Sequence, residues 1–204
     1  MALSIPLAGC LSDSETPVPE PTPTDSPATQ TPGGDPSLVE PTGSDRTTLS
    51  GTPFDTLAVD TLPESFPFAL DAEMAAQPAE GNPGRLRISV ENTSDRTFQL
   101  RISPNGLPFP PTADDATLVV SESETFERDA DECARGNLRI EPAYDTAEFT
   151  PDRTMWDDRY LYTHEESANC YPPGEYRFTH QYTVLVDEEE TARFRWGFTL
   201  SNAD

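Results

Sequence analysis

Apolar and polar residues alternate along several segments of this chain, and a period of two is the pattern of a β-strand with one buried face. Residues 86–90 place leucine, isoleucine and valine on one face, with arginine and serine between them. The polar stretch 92–95 follows, and residues 98–102 then repeat the alternation. Asparagine, serine and aspartate favour turns because their side chains bond to the local backbone. The pattern therefore predicts a β-hairpin with its turn at 92–95.

A second hairpin is predicted near the C-terminus. Aromatic and aliphatic residues occupy every second position over most of 176–186, the acidic stretch 187–190 supplies a turn, and the alternation returns over 192–200. Over 144–166 the pattern fits neither a strand nor a helix well, so a loop and a short helix both remain open. Three shorter strands are predicted, at 66–72, 117–120 and 137–141.

These segments add up to about seven strands and no convincing amphipathic helix. Short antiparallel strands in this number are typical of a sandwich of two sheets. We therefore predict an all-β fold, an antiparallel β-sandwich, for residues 66–204.

Residues 11–65 have a different composition, rich in proline, threonine, serine, aspartate and glutamate, with few large apolar residues before Phe54. Such a segment buries too little apolar surface to offset the entropy lost when it is ordered. We therefore predict a disordered tether, which would span about 40 Å as a flexible coil.

The chain is strongly acidic, since its 204 residues carry a net charge of −24 and all 13 basic residues are arginine. Acidic excess keeps a protein hydrated and soluble. It excludes nucleic acid as a partner, because little positive charge is left to neutralise phosphates, and it argues against direct adhesion to anionic lipid headgroups. The absence of lysine resembles the proteins of extreme halophiles, chiefly haloarchaea, and an acidic mesophilic protein is the alternative.

The four residues from Leu7 to Cys10, Leu-Ala-Gly-Cys, resemble the lipobox of prokaryotic lipoproteins. With the tether and the sandwich, they make the chain similar to haloarchaeal lipobox-anchored cell-surface lipoproteins with a C-terminal immunoglobulin-like domain. The resemblance implies that residues 1–10 are a signal-peptide remnant with the lipobox, and that Cys10 carries a lipid on its sulfur. The domain would then lie at the extracellular face of the cytoplasmic membrane. Because residues 1–9 lack a basic residue, we expect the true start further upstream; a chance match in a cytoplasmic protein is the alternative.

The segment Pro173 to Tyr176, Pro-Gly-Glu-Tyr, resembles the turn and tyrosine that open the penultimate strand of immunoglobulin-like and fibronectin-like domains. Cys133 and Cys170 are an even pair in a chain bound for an oxidising compartment, which predicts a disulfide. Antibody domains place the second cysteine after the corner tyrosine, whereas Cys170 precedes it. We therefore expect a bridge between loops, and a metal-binding or nucleophilic pair is the alternative.

Arg177, Arg193 and Arg195 fall in the outward register of the C-terminal hairpin. Guanidinium groups bind carboxylates and sulfates in bidentate geometry, so these three arginines are a candidate anion- or glycan-binding face. The alternative is cross-strand pairing with carboxylates such as Glu91 and Glu175.

Asn92 begins an Asn-Thr-Ser glycosylation sequon in the first predicted turn, so N-glycosylation and a purely structural turn role are both open. His180 falls on the apolar face of a predicted strand, which favours a partly buried core histidine. His164 lacks the second histidine of a zinc motif, and the acidic clusters lack the spacing of a calcium loop. We predict no metal and no cofactor.

No catalytic motif stands out in this sequence. We therefore predict a non-enzymatic surface lipoprotein, held in the membrane through a lipid on Cys10, that presents a binding or adhesion module outside the cell. Its partners would be surface-layer proteins, other extracellular proteins or glycans. One alternative is a small extracellular ligand-binding or protease-inhibitor module, for which residues 107–116 offer a proline-rich loop. A hydrolytic enzyme is the second alternative.

Overall fold

The described part of the chain consists of β-strands joined by turns and loops. A computed structural model describes residues 36–79, 82–102, 113, 118–121, 127–128, 134–136, 145–164 and 170–203. No helix occurs among these residues, so the predicted all-β fold is confirmed. The lipobox-like sequence with Cys10, the first part of the predicted tether and the predicted strand 137–141 lie outside the described residues.

Thirteen strands are present in this part, against about seven predicted. In chain order they are β1 (Leu38–Val39), β2 (Gly43–Thr48), β3 (Thr56–Thr61), β4 (Phe68–Ala76), β5 (Gly84–Asn92), β6 (Phe98–Ile102), β7 (Leu118–Ser121), β8 (Glu127–Arg128), β9 (Ala134–Gly136), β10 (Asp145–Phe149), β11 (Thr154–His164), β12 (Gly174–Val186) and β13 (Glu189–Asn202).

The strands form two sheets. The first sheet has the order β10-β6-β12-β13-β3-β2, with β1 paired to β13. The second sheet has the order β4-β5-β11-β9-β8, with β7 paired to β11. In the described part, the strand pairs are antiparallel except for β1 with β13 and β9 with β11. The orders β4-β5-β11 and β6-β12-β13 are those of strands A-B-E and C-F-G in an immunoglobulin-like sandwich.

The core lies between the two sheets. Leu86, Ile88 and Val90 of β5 are buried and belong to one hydrophobic cluster with aromatic residues of the first sheet. Among these, Phe178 of β12 and Phe198 of β13 stack with their ring centroids 4.8 Å apart. Burial of apolar side chains from both sheets is the main force that holds such a sandwich together.

The C-terminal hairpin is confirmed. β12 and β13 pair along almost their whole length, up to Val186 opposite Glu189. Asp187 and Glu188 connect them, and both have positive φ, which is the geometry of a two-residue turn between twisted strands. The turn is therefore shorter than the predicted acidic stretch.

The strand β12 begins with the feature that resembles a tyrosine corner. The hydroxyl of Tyr176 donates a hydrogen bond to the carbonyl oxygen of Pro172, four residues earlier. A tyrosine at the start of the penultimate strand that bonds back to the upstream backbone is the contact described for immunoglobulin-like domains.

At Gly197 the backbone of β12 leaves no room for a side chain on β13. A Cβ atom at this position would lie 1.9 Å from the carbonyl oxygen of Phe178. No side chain fits there without a shift of the backbone, so the glycine is required by the packing of the two strands.

The predicted hairpin over 86–102 is wrong. The strand β5 pairs with β4 and β11, whereas β6 pairs with β10 and β12 in the other sheet. The polar stretch 92–95 therefore carries the chain from one sheet to the other. Alternation identifies which face of each strand is buried, but both inner faces of a sandwich are buried, so it does not identify the partner strand.

The folded part begins earlier than the predicted boundary at 65/66. The strands β1, β2 and β3 lie within the predicted tether, and Phe54 and Leu57 are buried in the core. The strand β2 is exposed along its whole length and pairs with β3 at the sheet edge. An edge strand needs only backbone hydrogen bonds and tolerates a polar sequence, which is why the composition resembled a tether.

Neither a loop nor a short helix forms over most of 144–166, where β10 and β11 lie instead. The inward positions of β11 include Asp157 and the buried Arg159. Charged residues at core-facing positions removed the alternation by which a strand is recognised in the sequence.

Candidate functional site

The outer face of the second sheet carries an ordered set of polar side chains around one tryptophan. Two rows cross the strands β4, β5 and β11. One row contains Asp71, Ser89 and Trp156, and the adjacent row contains Glu73, Arg87 and Asp158. These six residues share one face because their positions in each strand differ by two. We call this surface the Trp156 face.

Arg87 holds the Trp156 face together. Its Nε and Nη2 atoms donate to the two carboxylate oxygens of Asp158 over 2.8 and 3.1 Å, and Nη1 lies 3.4 Å from Glu73 Oε1. The hydrogen bond and the charge of Asp158 raise the pKa of Arg87 above its ordinary value. A bidentate pair fixes the guanidinium plane as well as its position.

Trp156 stacks on this fixed guanidinium. The Arg87 Cζ atom lies 4.8 Å from the centre of the indole ring, which is a cation–π contact. Trp156 is nevertheless 63% exposed. With Arg87 over one face of the ring and 63% of the residue exposed, we infer that the opposite face is open to solvent.

The exposure of Trp156 is unusual in this structure. Among the described residues, the other large hydrophobic side chain that is exposed is Leu38, at 39%, in the first sheet. An aromatic ring of this size is ordinarily buried when no partner covers it, because its apolar area is large. A tryptophan held open by an arginine is therefore the strongest candidate for a binding residue in the described part.

A second polar group lies between the sheets. Arg159 is 2% exposed and its Nη2 contacts the carboxylate of Asp157 on the same inner face of β11. Tyr182 of β12 is buried and close enough to interact electrostatically with Arg159. His180 is half-buried beside it, with the two ring centroids 4.9 Å apart.

Burial shifts the ionisation of this interior group. It lowers the pKa of Arg159 to about 10, lowers that of His180 to about 4 and raises that of Tyr182 above its ordinary value. The histidine is therefore neutral at pH 7, as expected for a core histidine.

Arg177, Arg193 and Arg195, the predicted anion-binding residues, lie in the first sheet, and each contacts a carboxylate. Arg177 pairs with Asp60, and Arg193 pairs with Glu190. The Nη1 atom of Arg195 lies 3.0 Å from a carboxylate oxygen of Glu40.

These arginines therefore do not form a free cationic face, although not all of the pairs are cross-strand, since Arg193 and Glu190 both belong to β13. The carboxylates differ from the two that were expected. Glu175 contacts Arg46 instead, at 4.0 Å.

Asn92 does not lie in an exposed turn, contrary to the sequence prediction. It is fully buried at the end of β5, and its Nδ2 donates to the carbonyl oxygens of Arg96 and Phe149 over 2.7 and 2.9 Å. Its Oδ1 accepts hydrogen bonds from the backbone N and the Oγ of Ser94. A glycan on Nδ2 is incompatible with this arrangement, so the structure favours the turn role of Asn92.

The disulfide between Cys133 and Cys170 stays a prediction, because Cys133 lies outside the described residues. The position of Arg135, which follows Cys133 closely in the sequence, is consistent with this disulfide. Arg135, two residues after Cys133, brings its Nη2 within 3.9 Å of Cys170 Sγ.

The described part of the chain includes open clefts on its surface. One of them is lined by residues around Asp60, Phe66 and Asp71, and another by residues around Pro53 and Tyr171. His180 does not line either of these clefts. The predicted inhibitory loop 107–116 is described only at Ala113, which is buried.

Metal-binding and membrane-spanning features were sought in the same residues. Within the described ranges, no group of three or more histidine, cysteine or acidic side chains is arranged to hold a metal ion. The same ranges contain no helix with the length and apolar character needed to cross a bilayer.

Sequence reasoning missed the Trp156 face because it lies in the region 144–166, where no element was predicted. One signal was present. Trp156 and Asp158 are two positions apart, so in a strand they share one face, and a charged residue on that face indicates that it is exposed. The alternation over 86–90 places Arg87 on the outward face, but its partners depend on the pairing of β5 with β11, which alternation does not reveal.

Comparison of the chain with models of protein families, with characterised proteins and with solved structures found no match.

Proposed function

We propose that this chain is a non-enzymatic, lipid-anchored surface protein whose sandwich domain binds a partner outside the membrane through the Trp156 face. The observation that carries the binding function is the open ring of Trp156 on a fixed Arg87. Tryptophan and arginine are the residue types that contribute most to binding energy at recognition surfaces.

The anchor rests on the sequence. The lipobox-like residues Leu7 to Cys10 precede a segment rich in proline and acidic residues, and the first strand of the described part begins at Leu38. A lipid at Cys10 followed by an extended linker would hold the domain at a distance from the membrane. The Trp156 face would then be available to a partner on the cell surface.

The arginine pairs of the first sheet support this choice of face. Arg177, Arg193 and Arg195 each have a carboxylate partner, so an anionic ligand would have to displace Asp60, Glu190 or Glu40. The open face of Trp156 requires no such displacement.

The enzyme alternative lacks a comparable observation. His180 lies against Tyr182 between the sheets, and burial holds it neutral. A general acid or base must reach the reacting group of a substrate, so a histidine packed between the sheets is poorly placed for that role.

The test is binding of the purified full chain to envelopes from cells of the producing organism that lack the gene. We expect saturable binding that Trp156→Ala weakens at least about tenfold, as for the loss of a central tryptophan from a recognition surface. Leu38→Ala is the matched control, since it also removes an exposed apolar side chain but lies in the other sheet. Equal binding by the unchanged chain and Trp156→Ala would contradict the proposal.

A further inference from the structure

We propose that the ligand of the Trp156 face is a neutral glycan, with a sugar ring stacked on the open face of Trp156 and its hydroxyl groups bonded to the surrounding carboxylates. This inference rests on the proposed function, since it names the ligand of the same surface.

The first step is the geometry of the ring. Arg87 fixes Trp156 from one side through a contact of 4.8 Å, and the other side is open. The face of an aromatic ring is electron-rich. A pyranose ring presents on one side a patch of C–H groups with partial positive charge, which matches a flat electron-rich surface. A ring already held in place loses little conformational freedom on binding.

The second step is the set of polar groups around the ring. Asp71 and Glu73 are exposed carboxylates in β4, and the hydroxyl of Ser89 lies in the row of Trp156. Asp158 is partly exposed and is held by Arg87. Carboxylates accept hydrogen bonds only, and sugar hydroxyls are donors, so this surface matches a ligand that carries many hydroxyl groups.

The third step is charge. The Trp156 face contains three carboxylates and one guanidinium, at positions 71, 73, 158 and 87. The whole chain carries a net charge of −24. Both the local and the overall charge repel a polyanion at moderate ionic strength, which favours a neutral glycan over a sulfated or uronic-acid polymer.

The fourth step separates a glycan from a protein partner. The centre of a protein–protein interface combines several apolar side chains in one fully buried patch. Here Trp156 is a single exposed aromatic residue among polar neighbours, and Leu38, the other exposed large hydrophobic residue of the described part, belongs to the other sheet. An isolated ring within a polar surround is the pattern that suits a sugar.

The experiment uses the two tryptophans of the chain as reporters. Trp196 is buried and its Nε1 donates to the carbonyl oxygen of Asp60, whereas Trp156 is exposed. Acrylamide therefore quenches mainly the fluorescence of Trp156. The full chain is titrated with surface polysaccharide that has been freed of protein by exhaustive protease digestion and separated by anion exchange into a neutral and an acidic fraction.

We expect the neutral fraction to protect the fluorescence of Trp156 from acrylamide in a saturable way. Trp156→Phe should keep a stacking ring and bind more weakly in a direct assay such as calorimetry, and Trp156→Ala should lose at least about tenfold in affinity. Leu38→Ala should bind as the unchanged chain does. Protection by the acidic fraction alone, or by neither fraction, would overturn the glycan inference.

The envelope assay distinguishes failure of this inference from failure of the proposed function. If Trp156→Ala abolishes binding to intact envelopes but only protease-sensitive material carries the binding, the partner is a protein and the proposed function stands. If no envelope material binds in a manner that depends on Trp156, both proposals fail.

Discussion

Replacement of Asn92 by alanine tests the turn role of this residue. The side chain of Asn92 is fully buried and joins the end of β5 to two other segments through Arg96 and Phe149. The variant removes the two hydrogen bonds that Nδ2 donates and the oxygen that accepts hydrogen bonds from Ser94. It also removes the glycosylation sequon. A structural role and a glycosylation role therefore predict different results from the same substitution.

The expected loss follows from the individual hydrogen bonds. The bond to the Phe149 carbonyl oxygen is buried at 2.9 Å, and its loss leaves an unsatisfied acceptor that costs about 1–3 kcal/mol. The bonds with Arg96 and Ser94 are only partly buried, so water replaces them in part, and together they contribute about 1 kcal/mol. We therefore expect Asn92→Ala to lower the free energy of unfolding by about 3 kcal/mol.

The assay is urea unfolding of the full chain, followed by fluorescence, with mass spectrometry of the same preparation from its native cells. Ser94→Ala is the matched control, because it destroys the sequon but leaves both Nδ2 hydrogen bonds, and it should cost about 1 kcal/mol. Asn92→Asp should destabilise at least as much as alanine, because a carboxylate oxygen would then face two carbonyl oxygens. A loss below about 0.5 kcal/mol for Asn92→Ala, which is the ordinary range of surface substitutions, or a glycan on Asn92, would refute the reasoning.

Three further predictions concern other parts of the fold. Gly197→Ala should lower the free energy of unfolding by about 2–3 kcal/mol through overpacking, whereas Gly43→Ala, whose added Cβ would lie 3.4 Å from its nearest neighbour, should change it little; equal unfolding midpoints would contradict this. The pKa of His180 falls from 6.5 to about 4 on folding, so the unfolded state binds more protons between these values and stability should decrease as the pH falls from 6.5 to 4, by up to about 3 kcal/mol. His180→Gln should show a shallower pH dependence over that window, and identical profiles would argue against the shift. Peptide mapping without reductant should recover Cys133 linked to Cys170, and two alkylatable thiols in the native chain would show that no bridge forms.

The sequence was informative wherever one strand face was purely apolar. The strand β5 alternates without exception between buried and outward residues, and so does most of the C-terminal hairpin, which is why both were recognised. It was uninformative about which strands pair, because both inner faces of a sandwich carry the same pattern. The strand β2 escaped recognition because an edge strand with all six residues exposed has no apolar positions at all.

The arrangement of the Trp156 face depends on which strands pair, and the pattern of apolar residues does not give that information. The alternation of β5 places Arg87 on the outward face, yet its partners Asp158 and Trp156 lie about 70 positions further along the chain and meet it through the register of β5 with β11. The strand β11 itself was hidden because Asp157 and Arg159 occupy inward positions. Buried charge thus concealed the element that carries the exposed tryptophan.

The most direct test of the central claim is the state and location of the native chain in its own cells. Intact mass spectrometry of membrane and soluble fractions should find the chain in the membrane fraction, with its mature N-terminus at Cys10 and a lipid on the sulfur. Treatment of whole cells with an external protease should remove the domain that carries the Trp156 face. A chain recovered from the soluble interior with an unmodified Cys10 thiol would contradict the account.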